Sequence, residues 1–357
     1  MSNGVPDAPG APSNSSITIQ TETELSLLYR VLRTVIKPLR PRLVHPGHKQ
    51  PAGSPRLGSH PHSKGTFTIS ERQHDDSGVW LYDFQPESPP TIKIKPPTTI
   101  YYFCGGAFQS QPSREHWSFI SQLAGSLILE HHFTLVSYPL APESPASESL
   151  SILRRLMKPI FMEAAKKGDR ITLMGDSAGG NIAASLGFWW AEEVATSGEC
   201  KLKSVLQSII LVSPAIDLRN SNPAIAQVDP LDPLLSAAYT KSVAEAWLAA
   251  PPEKPHLRSS ADDPKLSPVL HEPSSYRILA DLGINVHCIY GTHDVLAPDA
   301  EVFRNKCEEH GVKGRWLVWN GQMHCFVLAG TYGMSEGKRG IEWLIEVLKA
   351  DDASSRS

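Results

Sequence analysis

The sequence predicts an α/β fold, a mostly parallel sheet flanked by helices on both faces. Three observations predict it. Short, uninterrupted apolar runs such as Thr99-Ile100-Tyr101-Tyr102-Phe103 and Ile171-Thr172-Leu173-Met174 read as strands buried on both faces. Stretches with helical spacing separate these runs, so strand and helix alternate. A Gly-rich turn, Gly175-Asp176-Ser177-Ala178-Gly179, joins one such strand to the helix after it. With 357 residues, 41% of them hydrophobic, the chain has material for one large domain of this class.

In chain order, residues 1–20 are polar and rich in Pro, Gly and Ser, and are expected to be disordered. Residues 21–64 are expected to hold a helix and a linker. Leu25, Leu27, Leu28, Val31, Leu32, Val35 and Ile36 have spacings that suit one apolar face of that helix, and Pro38 ends it. The linker, from Pro41 to Lys64, is rich in Pro, His and Gly. The main domain is expected over 65–350, with strands at 66–69, 79–82, 99–103, 133–137, 171–174, 205–212, 285–290 and 315–320. Helices are expected at 113–130, 147–165 and 178–194, and after each of the last two strands. The block 218–279 breaks this rhythm. It is rich in Pro and carries one good helix near 234–249, so it reads as an insertion over the C-terminal edge of the sheet. Residues 351–357 read as a flexible tail.

A formal net charge of -3 gives no electrostatic footprint for nucleic acid or an anionic membrane, which leaves a small molecule as the expected partner. The five cysteines are odd in number and contain no C-x-x-C, which reads as free thiols in a reducing compartment. The start lacks the pattern of a signal peptide, and no apolar run approaches the ~20 residues of a membrane span. A cytoplasmic location is the expectation. Nothing calls for a cofactor or a metal: His45, His48, His60 and His62 of the linker lack supporting cysteines or carboxylates.

The strongest chemical signal is the run from Gly175 to Asn181. A nucleophilic serine on a sharp strand-to-helix turn needs small neighbours, because strand and helix approach closely there. The helix start then offers free N–H groups to a developing oxyanion. Ser177 is the candidate nucleophile. Upstream, Cys104-Gly105-Gly106-Ala107-Phe108 follows an apolar strand, and a Gly-rich loop there can aim backbone N–H groups at a reacting carbonyl. The candidate oxyanion hole is Gly105, Gly106, Ala107 and Ala178, with Gly106, Ala107 and Ala178 preferred as donors. Asp294, at the end of the 285–290 strand, is the candidate acid, ahead of Asp299 and Glu301, which are placed on the next helix. His324, just after the last strand, is the candidate base, with His293 in reserve. The order Ser, Asp, His, each after a strand, is the order this geometry uses. His116, His131, His132 and His310 fall on or beside predicted helices and are assigned no chemistry.

Together these residues resemble the hormone-sensitive-lipase-like branch of the α/β-hydrolase esterases, from about residue 97 to 348. Tyr138-Pro139-Leu140-Ala141-Pro142-Glu143 looks like that branch's Y-R-L-A-P-E segment, with Pro139 in place of Arg, and Gly175 to Asn181 matches it without change. The resemblance implies an eight-stranded sheet and a helical cap made from the N-terminal helix and the insertion. It also implies ester hydrolysis through an acyl-enzyme, with no cofactor. The branch's His-Gly-Gly-Gly loop is altered: Cys104 stands for His and Ala107 for the third Gly. Apolar cap residues, including Leu231, Leu234, Leu235, Tyr239 and Trp247, point to a hydrophobic substrate. Phe108, Trp117, Trp189 and Trp190 are read mainly as core. A thioesterase, amidase or transacylase would use the same residues, and the chain also looks similar to hydrolases that trim or release natural products in fungal biosynthesis. Hormone receptors on this fold lack the base, and the presence of His324 argues against that role.

Overall fold

Nine strands form one sheet in the computed structural model, which describes residues 15–40, 50–58, 67–87 and 98–354. They are β1 (Ile17–Glu22), β2 (Phe67–Gln73), β3 (Trp80–Pro86), β4 (Thr98–Phe103), β5 (His131–Ser137), β6 (Arg170–Asp176), β7 (Leu206–Val212), β8 (Asn285–Gly291) and β9 (Gly314–Trp319). The spatial order is β1-β9-β8-β7-β6-β4-β5-β3-β2. Only β3 runs against its neighbours; it pairs antiparallel with both β2 and β5, and every other pairing is parallel. The α/β class is therefore as expected, with nine strands where eight were implied.

The ninth strand corrects the reading of the N-terminus. Ile17 to Gln20, expected to be disordered, pair in parallel with Gly314 to Leu317. Ile17 and Ile19 alternate with Thr18 and Gln20, a short β pattern with Ile17 buried. Residues 1–14 and the four linker histidines lie outside the described residues.

The helices are α1 (Leu27–Ile36), α2 (Arg114–Leu127), α3 (Ala146–Lys167), α4 (Ser177–Ser197), α5 (Ile225–Val228), α6 (Ala237–Leu248), α7 (Pro273–Asp281), α8 (Ala297–Glu309) and α9 (Ser335–Ser354). The chain end is a second correction. Asp351, expected in a flexible tail, is buried in the last turns of α9 and accepts a hydrogen bond from His287 Nε2 at 3.1 Å.

Each central strand serves two cores, because successive side chains point to opposite faces. Leu173, Ile209 and Leu211 join one buried cluster with residues of α3, α4 and α8. Met174, Ile210 and Val212 join the other with residues of α2 and α9. Strands buried on both sides have no reason to alternate in polarity, which is why they read as continuous apolar runs.

The insertion and α1 sit against the sheet's C-terminal edge. Trp247 of α6 stacks on Phe108 with ring centroids 4.4 Å apart and planes 8° from parallel. On α1, Tyr29 is buried and donates its hydroxyl to Gly321 O at 3.0 Å. Leu25, Leu32 and Ile36 also pack inward, whereas Leu27, Leu28, Val31 and Val35, expected on the same face, are exposed.

Candidate active site

Parallel register brings the carboxyl ends of five strands level. Phe103 lies beside Gly175, Asp176 beside Val212, Val212 beside Ile289, and Gly291 beside Trp319. Ligands bind outside this edge in open α/β sheets, because the loops leaving it converge there. Here those loops carry Gly106, Ala107, Ser177 and His324 onto the wall of one cavity of about 880 Å³.

β6 turns directly into α4 at Ser177, whose φ is 51°. A side-chain-bearing residue in this left-handed region costs roughly 1–2 kcal/mol and persists only where its surroundings enforce it. The enforcement is close packing. A Cβ on Gly179 would lie 2.0 Å from Phe103 O, and one on Gly175 would lie 2.2 Å from Gly179 O. Only glycine allows the approach that raises Ser177 above the sheet. Ala178 follows in the first turn of α4, where the helix supplies no acceptor for its N–H.

Asp294, after β8, has no exposed surface and accepts the Leu296 N–H at 3.0 Å through Oδ1. Its Oδ2 accepts a hydrogen bond from His324 Nδ1 at 2.9 Å. With its hydrogen on Nδ1, the ring presents Nε2 as an acceptor. Among the described residues Nε2 meets only the Cys325 thiol, at 3.4 Å, and no hydrogen bond joins it to Ser177 Oγ. Burial pulls the pKa of His324 down, but the Asp294 carboxylate and Cys325 outweigh it and hold the imidazole well above its ordinary range. Burial raises the Cys325 thiol to about 11, against the pull of His324. Among the described residues no hydrogen bond or ion pair joins the side chain of His293, the reserve base, to Asp294; its backbone N–H bonds Gln322 O. Asp299 and Glu301 lie on α8, facing Asn222 and Arg304 respectively.

The loop after β4 holds Gly106 at φ 123°, Ala107 at 56° and Phe108 at 58°. Gly106 and Ala107 line the cavity, and no described residue accepts either N–H. Gly105 is a correction to the expected oxyanion hole. Its N–H donates to Asp176 Oδ1 at 2.9 Å and is not available to a substrate.

Two buried carboxylates beside this chemistry were not singled out in the sequence. Asp176 also accepts the Tyr102 hydroxyl at 2.6 Å and His116 Nε2 at 3.2 Å. Burial would raise its pKa, yet His116, Tyr102 and Gly105 together hold it below the usual carboxylate range. Asp232, from the insertion, has no exposed surface and accepts the N–H groups of Leu234 and Leu235. Burial, and then the charge of Asp294, lift its pKa to about 6. Asp176 could have been found as the residue preceding a nucleophile at a buried strand end. Asp232 has only the turn signal of Asp232-Pro233, which carries no chemical information.

Much of the remaining cavity wall is apolar, interrupted by Glu115, Asp217, Asn220 and Thr240. Leu28, Leu32 and Ile36 of α1 face Leu234, Leu235 and Tyr239 of the insertion across it. Leu328, Ala329 and Met334 close a further side. Phe108 lines it, whereas Trp117 packs on Tyr82 and Trp190 stacks on Phe161. Leu231 is exposed, and Trp247 is spent on Phe108.

Comparison with known proteins agrees with this architecture. Residues 100–328 match the model of the alpha/beta hydrolase fold. An esterase of Acinetobacter venetianus is 24% identical over 249 residues, 69% of this chain and 73% of that protein. The crystal structure of carboxyl esterase 2 from the mycorrhizal fungus Tuber melanosporum superposes with a TM-score of 0.70 at 18% identity, covering 92% of this chain and 99% of that one. That of an esterase from the bacterial hormone-sensitive lipase family gives 0.66 at 20% identity, covering 90% and 97%. No helix among the described residues is long and apolar enough to cross a membrane. The chain belongs to the alpha/beta hydrolase fold family and, by its motifs, resembles the hormone-sensitive-lipase-like esterases within it.

Proposed function

We propose that this chain is a serine carboxylic-ester hydrolase that cleaves esters of hydrophobic small molecules through an acyl-enzyme. The observation that carries the reading is the 2.9 Å hydrogen bond from His324 Nδ1 to buried Asp294, on a ring that shares its cavity with left-handed Ser177. Ser177 Oγ attacks the ester carbonyl while its proton passes to His324 Nε2. Asp294 stabilises the imidazolium that forms. The N–H groups of Gly106, Ala107 and Ala178 receive the oxyanion. Collapse expels the alcohol, which takes the proton from His324. Water then adds to the acyl carbon while its proton passes to His324; the bond to Ser177 Oγ breaks, His324 returns the proton to Oγ, and the acid leaves.

The cavity supports a narrower reading. Its volume of about 880 Å³ exceeds what a short acyl ester fills, and its walls are mainly aliphatic, which favours a bulky apolar metabolite. An acylated or thioester-bound natural product would fit such a cavity; that narrower class rests on the resemblance to hydrolases of fungal biosynthesis and not on the cavity. The same residues would serve a thioesterase, amidase or transacylase.

A fluorophosphonate probe tests the nucleophile. The wild type is expected to label and Ser177→Ala to remain unlabelled; equal labelling overturns the assignment. A panel of p-nitrophenyl esters and matched thioesters of rising chain length tests the bond. Turnover of thioesters with none of esters would move the reading to a thioesterase.

A further inference from the structure

We propose that His116 is the positioning residue of the oxyanion loop, acting through Asp176. The proposal rests on the acyl-enzyme reading above and adds to it a residue from α2.

The loop needs an anchor. Ala107 and Phe108 both sit in the left-handed region, and Gly106 beside them has a φ open only to glycine. Such a backbone persists only when its surroundings over-determine it. Most of its fastenings lead away from Ser177: Tyr138 donates its hydroxyl to Cys104 O at 2.8 Å, and the Ala141 N–H donates to Phe108 O at 2.8 Å. One fastening leads directly to the nucleophile. The Gly105 N–H is held by Asp176, the residue before Ser177. With the pairing of Phe103 and Gly175 below it, that hydrogen bond sets the oxyanion donors against the Ser177 turn.

Asp176 is nearly without solvent, so its own orientation depends on its partners. Oδ1 receives Tyr102 and Gly105, and Oδ2 receives His116 Nε2 at 3.2 Å, with the Cys325 thiol at 3.8 Å. Among these, His116 alone can carry a positive charge. The ring is itself fixed. Ser113, the N-cap of α2, donates its backbone N–H to Nδ1 at 3.0 Å, which leaves the ring hydrogen on Nε2, facing Asp176. The loop has no imidazole of its own, since Cys104 is buried and burial raises its thiol far above the neutral range. His116 supplies one from the neighbouring helix. Without it Oδ2 keeps only a thiol, the carboxyl is oriented by its Oδ1 contacts with Tyr102 and Gly105 alone, and the hold on Gly105 loosens.

A loosened oxyanion hole weakens the transition state more than the bound ester, so the loss belongs in kcat and not in KM. The experiment measures hydrolysis of p-nitrophenyl butyrate by wild type, His116→Leu, His116→Gln, Asp176→Asn and the double variant His116→Leu/Asp176→Asn, with a melting curve for each. His116→Leu is expected to lower kcat about 10- to 100-fold, with KM within about twofold. His116→Gln, which keeps an N–H donor, recovers most of the rate. The double variant is no slower than the slower single, because both act through one chain of contacts. An unchanged kcat in His116→Leu, a loss confined to KM, or additive losses overturn the proposal. Should His116→Leu not fold, His116→Gln and Asp176→Asn decide it by the same kcat and KM criterion: Gln near wild type with Asn slowed in kcat alone supports it, and any other pattern rejects it. A wild type that hydrolyses no ester would instead sink the ester-hydrolase reading.

Discussion

Asp232 accepts the Val295 N–H at 2.9 Å, so a carboxylate of the insertion holds the residue that follows Asp294. Its other oxygen holds the N–H groups of Leu234 and Leu235, which join the cap and the acid at one point. Burial and the charge of Asp294 raise its pKa to about 6, whereas an aspartate in the unfolded chain titrates near about 4. Between these values the folded protein binds the proton more tightly than the unfolded chain, so ionisation there costs stability. Asp232→Asn cannot ionise. The melting temperature of wild type minus that of Asp232→Asn should fall from pH 4 to pH 6 and level off above. The lost N–H acceptor adds a constant offset. A difference that ignores pH would reject the reading.

In the proposed mechanism His324 must be neutral to take a proton from Ser177. Asp294 holds its pKa well above the ordinary range despite burial. The acid limb of kcat/KM is therefore expected above about pH 6.5. Asp294→Asn should lower kcat about 10⁴-fold, because the ring loses the acceptor that fixes its tautomer. A pH–rate profile with p-nitrophenyl acetate measures both, and an acid limb near pH 5 in wild type would contradict the geometry.

Gly179 admits no side chain, since a Cβ would lie 2.0 Å from Phe103 O. Gly179→Ala should cost about 1–3 kcal/mol by overpacking and reduce turnover, because the strain falls on the turn that carries Ser177. Gly58, with nothing within 4 Å of its Cβ position, serves as the comparison. Gly58→Ala should stay within about 0.5 kcal/mol of wild type. Urea denaturation of the two variants checks this contrast.

Leu32, on α1, is half-buried and forms part of the cavity wall. Leu32→Ala should raise KM for octanoyl esters by a factor corresponding to about 1 kcal/mol of lost contact and leave acetyl esters almost untouched. Equal effects on both chain lengths would place Leu32 away from the acyl group.

The parts of the site that could be read from the sequence are those whose chemistry constrains neighbouring residues. Ser177 needs Gly175, Gly179 and Gly180 around it, and that demand is written contiguously. The order of Ser177, Asp294 and His324 follows from strand ends made level by parallel register. What escaped notice is long-range. His116 sits on a helix at ordinary spacing, and only the fold brings it to Asp176. Gly105 looked like any other donor in a glycine loop until Asp176 claimed its N–H. β1 was missed because an edge strand is largely exposed: of Thr18, Ile19 and Gln20 none is buried, so composition read it as disorder.

That edge strand has a practical consequence. β1 covers all of β9, from Gly314 to Trp319, with a six-residue ribbon whose outward row is mostly Thr, Gln and Glu. Deleting residues 1–24 would bare the backbone of an apolar strand that contains Trp316, Leu317 and Trp319. Unpaired strand edges of that kind recruit other chains. The truncated protein should self-associate in size-exclusion chromatography, and its lost activity would then report aggregation and not a missing catalytic group.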